Sequence, residues 1–284
     1  MAQSNARQTL MAIENAQEAW SRSKGIPLLR AGYVATLADN LLLGALSPRA
    51  REQFLRGDGA ELQGTGRTPP KMHALVSSSA LAVNVFDYWT DRARGLLRSA
   101  LSLPCDIDSL TFEYKCQRYP LRPRSPNLDL LIRLTDGSVI GVESKFTEPF
   151  RHTEGSKLAG KYFAMGATLW DAAGMPGAQA LAEQLRSRWQ HLDVAQLLKH
   201  MLGLAHERPE GQRTLLYLWY DPRTQASSRH AEEVEAFRNQ VSGGRVTFSA
   251  MSYTDLFLHL RTAQFPEHET YVAYLGARYF REVA

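Results

Sequence analysis

Three charged residues stand beside two runs of sequence that otherwise read as buried strands, in the stretch SPNLDLLIRLTDGSVIGVESKF. They are Asp129, Glu143 and Lys145. Charged side chains almost never enter a protein interior unpaired, so these three either lie in water at strand ends or converge on a site. Two carboxylates supply the oxygen ligands that Mg²⁺ prefers, and an ammonium can position water and offset charge on a phosphoryl transition state. These residue types therefore fit metal-assisted hydrolysis of a phosphodiester.

The turn between the two strands decides whether the three side chains share a face of the sheet. Residues two apart in a strand point the same way, so Glu143 and Lys145 share one face while Ser144 points to the other. A two-residue Asp-Gly turn would place Asp129 opposite Ser144, on the wrong face. A three-residue loop, such as Asp-Gly-Ser with a glycine bulge, shifts the register by one and places Asp129 opposite Lys145.

The apolar residues favour the shifted register. One face of the hairpin then carries the apolar residues Leu130, Ile132, Leu134, Ile140 and Val142. The other face carries Asp129, Leu131, Arg133, Val139, Gly141, Glu143 and Lys145. The alternative register would put the Glu143 carboxylate among the leucines, unpaired, at a cost of several kcal/mol. We therefore predict an odd-numbered loop or a bulge in this hairpin.

The elements that must position this hairpin alternate between strand and helix patterns along the 284-residue chain. This alternation predicts an α/β fold, with a central mixed sheet that contains the hairpin and is flanked by helices. Residues 1 to about 56 read as an N-terminal helical extension, in which Ser47-Pro48 opens a short helix. Gly, Thr and Pro mark residues 57–70 as a loop or linker. The predicted domains are residues 1–70, helical region and linker, and residues 71–284, the sheet-containing domain.

The hairpin motif resembles that of the PD-(D/E)xK nuclease superfamily, which has a restriction-endonuclease-like fold. Pro126 and Asp129 precede the turn, and Glu143-Ser144-Lys145 follows it. The proline stands three residues before the aspartate rather than next to it, which departs from the usual motif. The order of helix, hairpin and following helices is also similar, over roughly residues 73–220.

This resemblance implies a divalent-metal-dependent nuclease with residues 71–284 as its nuclease-like domain. Asp129 and Glu143 would be ligands of Mg²⁺ or Mn²⁺, and Lys145 would be the catalytic lysine. The backbone carbonyl of Ser144 is a further candidate ligand, because only its side chain points away.

Glu113 is a further acidic candidate. It lies on the strand predicted to precede the hairpin, and members of the superfamily often recruit an additional acid from the first helix or strand. Glu113-Tyr114-Lys115 repeats the acid-x-Lys spacing, which composition alone would produce about once, but no strand and turn precede this copy. An exposed glutamate paired with Arg133 or Lys115 is an equally weighted alternative.

Gln196 is a candidate on a helix. It stands four residues before His200 in DVAQLLKHMLGLA, which resembles the glutamine-bearing helix that abuts the site in some nuclease branches. A solvated helix face is the alternative for this pair. The histidines show no HExxH pattern, and ordinary surface or core histidines are favoured over zinc ligands.

Composition excludes several classes of protein. Hydrophobic residues make up 44% and charged residues 22% of the chain, as in ordinary globular proteins. The N-terminus lacks the arrangement of a secretory signal, and no apolar run reaches membrane-spanning length. Two cysteines are too few for a disulfide scaffold, so we expect a cytoplasmic location and no membrane partner.

The charge balance fits a polyanionic partner. The net charge is +4, and only seven of the 33 basic residues are lysines. Arginine suits phosphate contacts, although a bias in base composition explains its abundance equally well. The leading hypothesis is a Mg²⁺-dependent endonuclease that acts on DNA. A non-catalytic nucleic-acid-binding module or a protein-interaction module on the same fold remains the alternative, and the oligomeric state, a homodimer included, stays open.

Overall fold

Five strands form one mixed sheet in the computed structural model. In spatial order they are β3 (Ile107–Lys115), β4 (Asn127–Leu134), β5 (Val139–Lys145), β6 (Arg213–Trp219) and β7 (Thr247–Ser252). Antiparallel pairing joins β3, β4 and β5, and parallel pairing joins β5, β6 and β7. A separate small antiparallel sheet pairs β1 (Leu28–Arg30) with β2 (Tyr33–Val34). The predicted α/β fold with a mixed sheet around a hairpin is confirmed.

The structure describes residues 2–30, 32–57, 60–65, 67–121, 125–151, 157–165, 167–185, 189–207, 209–262 and 266–281. The α-helices within these ranges are α1 (Ala2–Ser23), α2 (Pro48–Arg56), α3 (Ser78–Phe86), α4 (Gly95–Ala100), α5 (Ala167–Ala172), α6 (Ala178–Glu183), α7 (Val194–His206), α8 (Gln225–Val241), α9 (Tyr253–Thr262) and α10 (Glu269–Tyr279). None of them combines the length and the apolar character that crossing a membrane requires.

The sheet separates two apolar cores. The first contains Leu130, Ile132, Leu134, Ile140 and Val142 from the hairpin, together with residues of α3, α9 and α10. The second contains Leu131 and Val139, together with residues of α7 and α8. This division is the one predicted from the apolar pattern, and it places a helix layer on each face of the hairpin.

The loop between β4 and β5 is odd-numbered, as predicted. The backbone N–H of Leu134 donates to the carbonyl of Ser138 at 2.9 Å, which leaves three residues, 135–137, in the loop. Gly137 has a φ of 80°, the left-handed conformation that such a loop requires and that glycine adopts without strain. The predicted loop was Asp-Gly-Ser, with the glycine in the middle. The observed loop is Thr135-Asp136-Gly137, so the glycine occupies the last position.

This placement of the loop corrects the expected partner of Asp129. Leu130 pairs with Val142, which shifts β5 by two residues along β4 relative to the predicted pairing. Asp129 therefore lies level with Glu143 rather than with Lys145. The parity is unchanged, because a shift of two residues returns every side chain to the same face.

The N-terminal region is helical only in part. The helices α1 and α2 form, and Ser47 Oγ caps α2 by accepting from the Ala50 N–H at 3.2 Å. The helical interpretation is wrong for residues 24–46, where β1 and β2 and a short 3₁₀ turn replace it. Gly32, with a φ of 75°, and the side chain of Asp39, which accepts from Thr36, favour turns there over helix.

The N-terminal residues nevertheless contribute to the sheet's first core. Ile13 of α1 and Phe54 of α2 belong to the same apolar cluster as Leu130. Phe54 stacks on Phe112 of β3, with ring centroids 5.5 Å apart. The domain boundary between residues 70 and 71 stays a prediction.

A buried arginine joins the two ends of the chain. Arg278 of α10 is 1% exposed, and its guanidinium donates to the backbone carbonyl and the side-chain oxygen of Asn40 at 2.7 and 2.5 Å. It also donates to Gln17 of α1 at 3.3 Å and lies 4.2 Å from the ring centroid of Trp20. The charge is therefore compensated by carbonyl oxygens and an aromatic face.

We predict that Arg278→Met destabilises the fold by about 2–4 kcal/mol, because the buried side-chain oxygens of Asn40 and Gln17 would lose the donor that Arg278 supplies. Urea unfolding monitored by circular dichroism measures this change. Arg281→Met is the control, since Arg281 is exposed on the last turn after α10. Equal unfolding free energies for the two variants would contradict the structural role of Arg278.

Candidate active site

The two carboxylates and the lysine meet at one end of the sheet. Asp129 lies near the start of β4 and Glu143 and Lys145 lie near the end of the antiparallel β5, so all three reach the same end. Lys145 Nζ lies 2.5 Å from Glu143 Oε1. Asp129 Oδ2 accepts from the backbone N–H of Ser144 at 2.7 Å, which holds its carboxylate against β5.

Regular strand geometry is interrupted at this level of the sheet. Leu128 and Leu130 stand two apart on β4 yet pack into opposite cores, so the alternation of faces breaks at Asp129. On the neighbouring β3, Glu113 has a φ of 50°, an unusual conformation for a residue other than glycine. Such deviations are retained where the surrounding structure enforces them, and they concentrate at functional sites.

Glu113 lies on the strand next to Asp129, partly buried. Asn127 Nδ2 contacts Glu113 Oε2 at 3.5 Å, and the side-chain oxygen of Asn127 is itself buried without a hydrogen-bond partner. Burial, followed by repulsion from Glu61 and Glu143, raises the pKa of Glu113 to about 7. Arg133, one of the partners considered from sequence, lies instead over the ring of Tyr114, at 5.8 Å.

Helix α7 brings two polar side chains to the same pair of charges. Asp193 caps this helix by accepting from the Gln196 N–H at 2.9 Å. Gln196 Oε1 accepts from Lys145 Nζ at 2.9 Å. One turn further along, His200 is 3% exposed, and its Nδ1 lies 3.0 Å from Glu143 Oε2. Gln196 and His200 therefore face the sheet rather than solvent.

The spacing of four residues pairs His200 with Gln196, because such residues share a helix face, but it indicates no role for His200 in the site. The contact between His200 and Glu143 is the part that the sequence did not predict.

The charges at the site control one another's ionisation. Burial opposes ionisation of Glu143, but the Lys145 ammonium and then His200 outweigh it and lower the pKa of Glu143 to about 2. Burial likewise disfavours the charged form of Lys145, yet Glu143, Glu148 and Asp129 raise its pKa above the ordinary value. Glu143 is therefore ionised and Lys145 protonated at neutral pH.

Asp129 experiences the opposite balance. Burial and then repulsion from Glu143 raise the pKa of Asp129 well above its usual range, and attraction to Lys145 and the Ser144 N–H offset this only in part. A cation placed among these carboxylates would relieve the repulsion between them.

The oxygen donors fit a hard divalent cation. Both oxygens of Glu143 are buried and lack a hydrogen bond of good geometry, although Lys145 and His200 lie close. Within the described ranges, no group of three or more His, Cys, Asp or Glu side chains is arranged as a metal site. A metal would therefore be held by the carboxylates of Asp129 and Glu143 together with backbone or water oxygens, which suits Mg²⁺.

Ser144 can contribute only through its backbone. Its hydroxyl points to the opposite face, where Oγ lies 2.6 Å from the Tyr253 hydroxyl of α9 and 3.4 Å from the Ser78 carbonyl. The prediction that Ser144 points away from the other two residues of its motif is confirmed, and only its carbonyl remains as a candidate ligand.

One protein-family model matches residues 2–280 of the chain. This is REase-ARP, whose description is restriction endonuclease associating with ARP. The chain belongs to this family. The match confirms the resemblance to restriction endonucleases and extends it from the hairpin to the N-terminal helices. No curated protein and no solved structure gives a significant match.

The raised pKa of Glu113 predicts a pH-dependent stability. The unfolded chain releases this proton near pH 4.5 and the folded chain near pH 7, so stability decreases as pH rises through that interval. We expect Glu113→Gln to raise the melting temperature at pH 8 relative to wild type, and the gain to shrink toward pH 5. Calorimetry at several pH values measures it, with exposed Glu232→Gln as control. A gain independent of pH would contradict the assignment.

Proposed function

We propose that this member of the REase-ARP family is a divalent-metal-dependent endonuclease that hydrolyses phosphodiester bonds in DNA. The observation that carries the proposal is the gathering of Asp129, Glu143 and Lys145 at one end of the sheet, with Lys145 held between Glu143 and Gln196. Membership of a restriction-endonuclease-like family supports the same class of reaction.

Each residue has a distinct part in this proposal. Asp129 and Glu143 would hold Mg²⁺ or Mn²⁺, which when bound polarises the scissile phosphate and activates water. Lys145 is protonated and 14% exposed at its side chain, so its ammonium can meet a substrate phosphate and offset the charge that develops there. Gln196 accepts from the ammonium and fixes its direction. The Ser144 N–H keeps the Asp129 carboxylate against β5.

The exposed charges support a polyanionic substrate. On the connections at the site end of the sheet, the exposed cations include Arg118, Arg151 and Lys157. On the connections at the opposite end, the exposed anions include Asp106, Asp136 and Glu210. A phosphate backbone is attracted to the end that holds the site.

A cavity of about 600 Å³ lies near the end of β5, although Asp129, Glu143 and Lys145 are not among its lining residues. Its walls include Thr147 and Glu148, which follow Lys145 closely in sequence, and Ser77, which caps α3 by accepting from the Ala80 N–H at 3.1 Å. Lys71 and Arg151 line it as well, and they lie 3.3 Å from Glu61 and 3.6 Å from Glu14 respectively.

We predict that Asp129→Asn, Glu143→Gln and Lys145→Met each reduce cleavage of supercoiled plasmid DNA by about 100-fold or more with Mg²⁺, because each removes a group that acts on the transition state. Glu232→Gln, at an exposed position on α8, is the matched control and should cleave like wild type. Gel electrophoresis of timed reactions, with and without chelator, gives the rates.

Two results would overturn the proposal. Equal rates in wild type and all three variants would exclude these residues from the reaction. Salt-dependent DNA binding that chelation leaves unchanged, without cleavage under any divalent metal, would instead favour the non-catalytic nucleic-acid-binding module.

A further inference from the structure

The inner face of α7 lies unusually close to the sheet. A side-chain carbon at Gly203 would lie 2.6 Å from Cys116 Sγ, and one at Gly141 would lie 2.9 Å from Leu204 Cδ1. Both separations are shorter than real side-chain carbons show, so the two glycines permit close packing of α7, at Gly203 against Cys116 and at Gly141 against β5. This approach allows a side chain as short as that of His200 to reach a carboxylate on the strand.

The two oxygens of Glu143 have different neighbours. Oε1 lies against Lys145 Nζ, whose side chain is 14% exposed and also donates to Gln196. Oε2 lies 3.0 Å from Nδ1 of His200, whose side chain is only 4% exposed. Oε1 therefore lies on the more accessible side of the carboxylate, and Oε2 lies on the more buried side.

We propose that His200 is a positioning residue, which holds Glu143 Oε2 so that Oε1 is presented to a divalent cation. This role rests on the proposed nuclease function and extends it to a residue outside the hairpin motif. In this role Nδ1 of His200 carries a proton and donates it to the carboxylate; the 3.0 Å separation is short enough for this hydrogen bond, although its geometry in the structure is not good. Anchoring one oxygen favours monodentate ligation of the kind that Mg²⁺ and Mn²⁺ accept.

The magnitude of the effect follows from other metal sites. Removal of a side chain that orients a metal ligand through a hydrogen bond typically weakens metal affinity by about 10- to 100-fold. We therefore expect His200→Leu to weaken Mn²⁺ binding by about that factor. His200→Asn, whose amide can donate from nearly the position of Nδ1, should retain affinity within about threefold of wild type.

The test uses Mn²⁺ alone as the probe and the full chain as the protein. Titration calorimetry gives the affinity of wild type, His200→Leu and His200→Asn. His206→Gln is the matched control, because His206 lies on the same helix but contacts the Leu202 carbonyl instead. Two-dimensional ¹H–¹⁵N spectra of the imidazoles, recorded without metal, identify the protonated nitrogen of His200 in the wild type, so the result does not depend on whether His200→Leu folds.

The expected result is a proton on Nδ1 of His200 and a loss of Mn²⁺ affinity in the leucine variant that asparagine restores. Affinities that are equal in wild type and His200→Leu, or a proton on Nε2, would overturn the positioning role. If wild type still cleaves DNA in that case, the proposed function stands without His200. A wild-type protein that neither binds Mn²⁺ nor cleaves DNA would overturn both.

Discussion

The ion pair between Glu143 and Lys145 is the constraint on which the site depends. Glu143 is 1% exposed, and a buried carboxylate is tolerated only where it is paired and contacted by further polar groups. The hairpin supplies the lysine two residues away on the same face, but one ammonium cannot satisfy both oxygens. Helix α7 places His200 beside the second oxygen, and its Gln196 accepts from the ammonium. The position of this helix is therefore coupled to the charge on the strand.

The N-terminal and C-terminal segments stabilise the opposite face of the sheet. Tyr253 of α9 contacts Ser144 from that face, while Arg278 of α10 links α1 to the loop that contains Asn40. The motif thus has one layer that provides polar contacts to its charges and another that supports its backbone. The family match, which extends over nearly the whole chain, agrees with this arrangement, since both layers draw on residues far from the motif.

The alternation of strand and helix patterns predicted the mixed sheet. The alternation of side chains along each strand predicted the two faces of its hairpin, because the cost of burying Glu143 among leucines excludes the alternative register. The position of the three-residue loop was not predictable in the same way, because a glycine fits more than one loop position and two of the odd registers share the same faces. The helical interpretation of the N-terminal region failed near Gly32 and Asp39, because turns that form locally there outweigh an apolar pattern. Helical spacing placed His200 on the same face as Gln196, but its contact with Glu143 could not be predicted, because it depends on how closely α7 packs on the sheet.

Exposed cations such as Arg118 and Lys157 at the site end of the sheet, and exposed anions such as Asp106 and Asp136 at the far end, give the two ends different local potentials. For the polyanionic substrate proposed above, this difference favours approach through the site end before contact. Productive encounters then become more frequent than random collision would allow, and ionic screening reduces this advantage over a distance of about 10 Å at 0.1 M salt. The acidic turns at the far end of the sheet, although remote from the chemistry, contribute to this orientation.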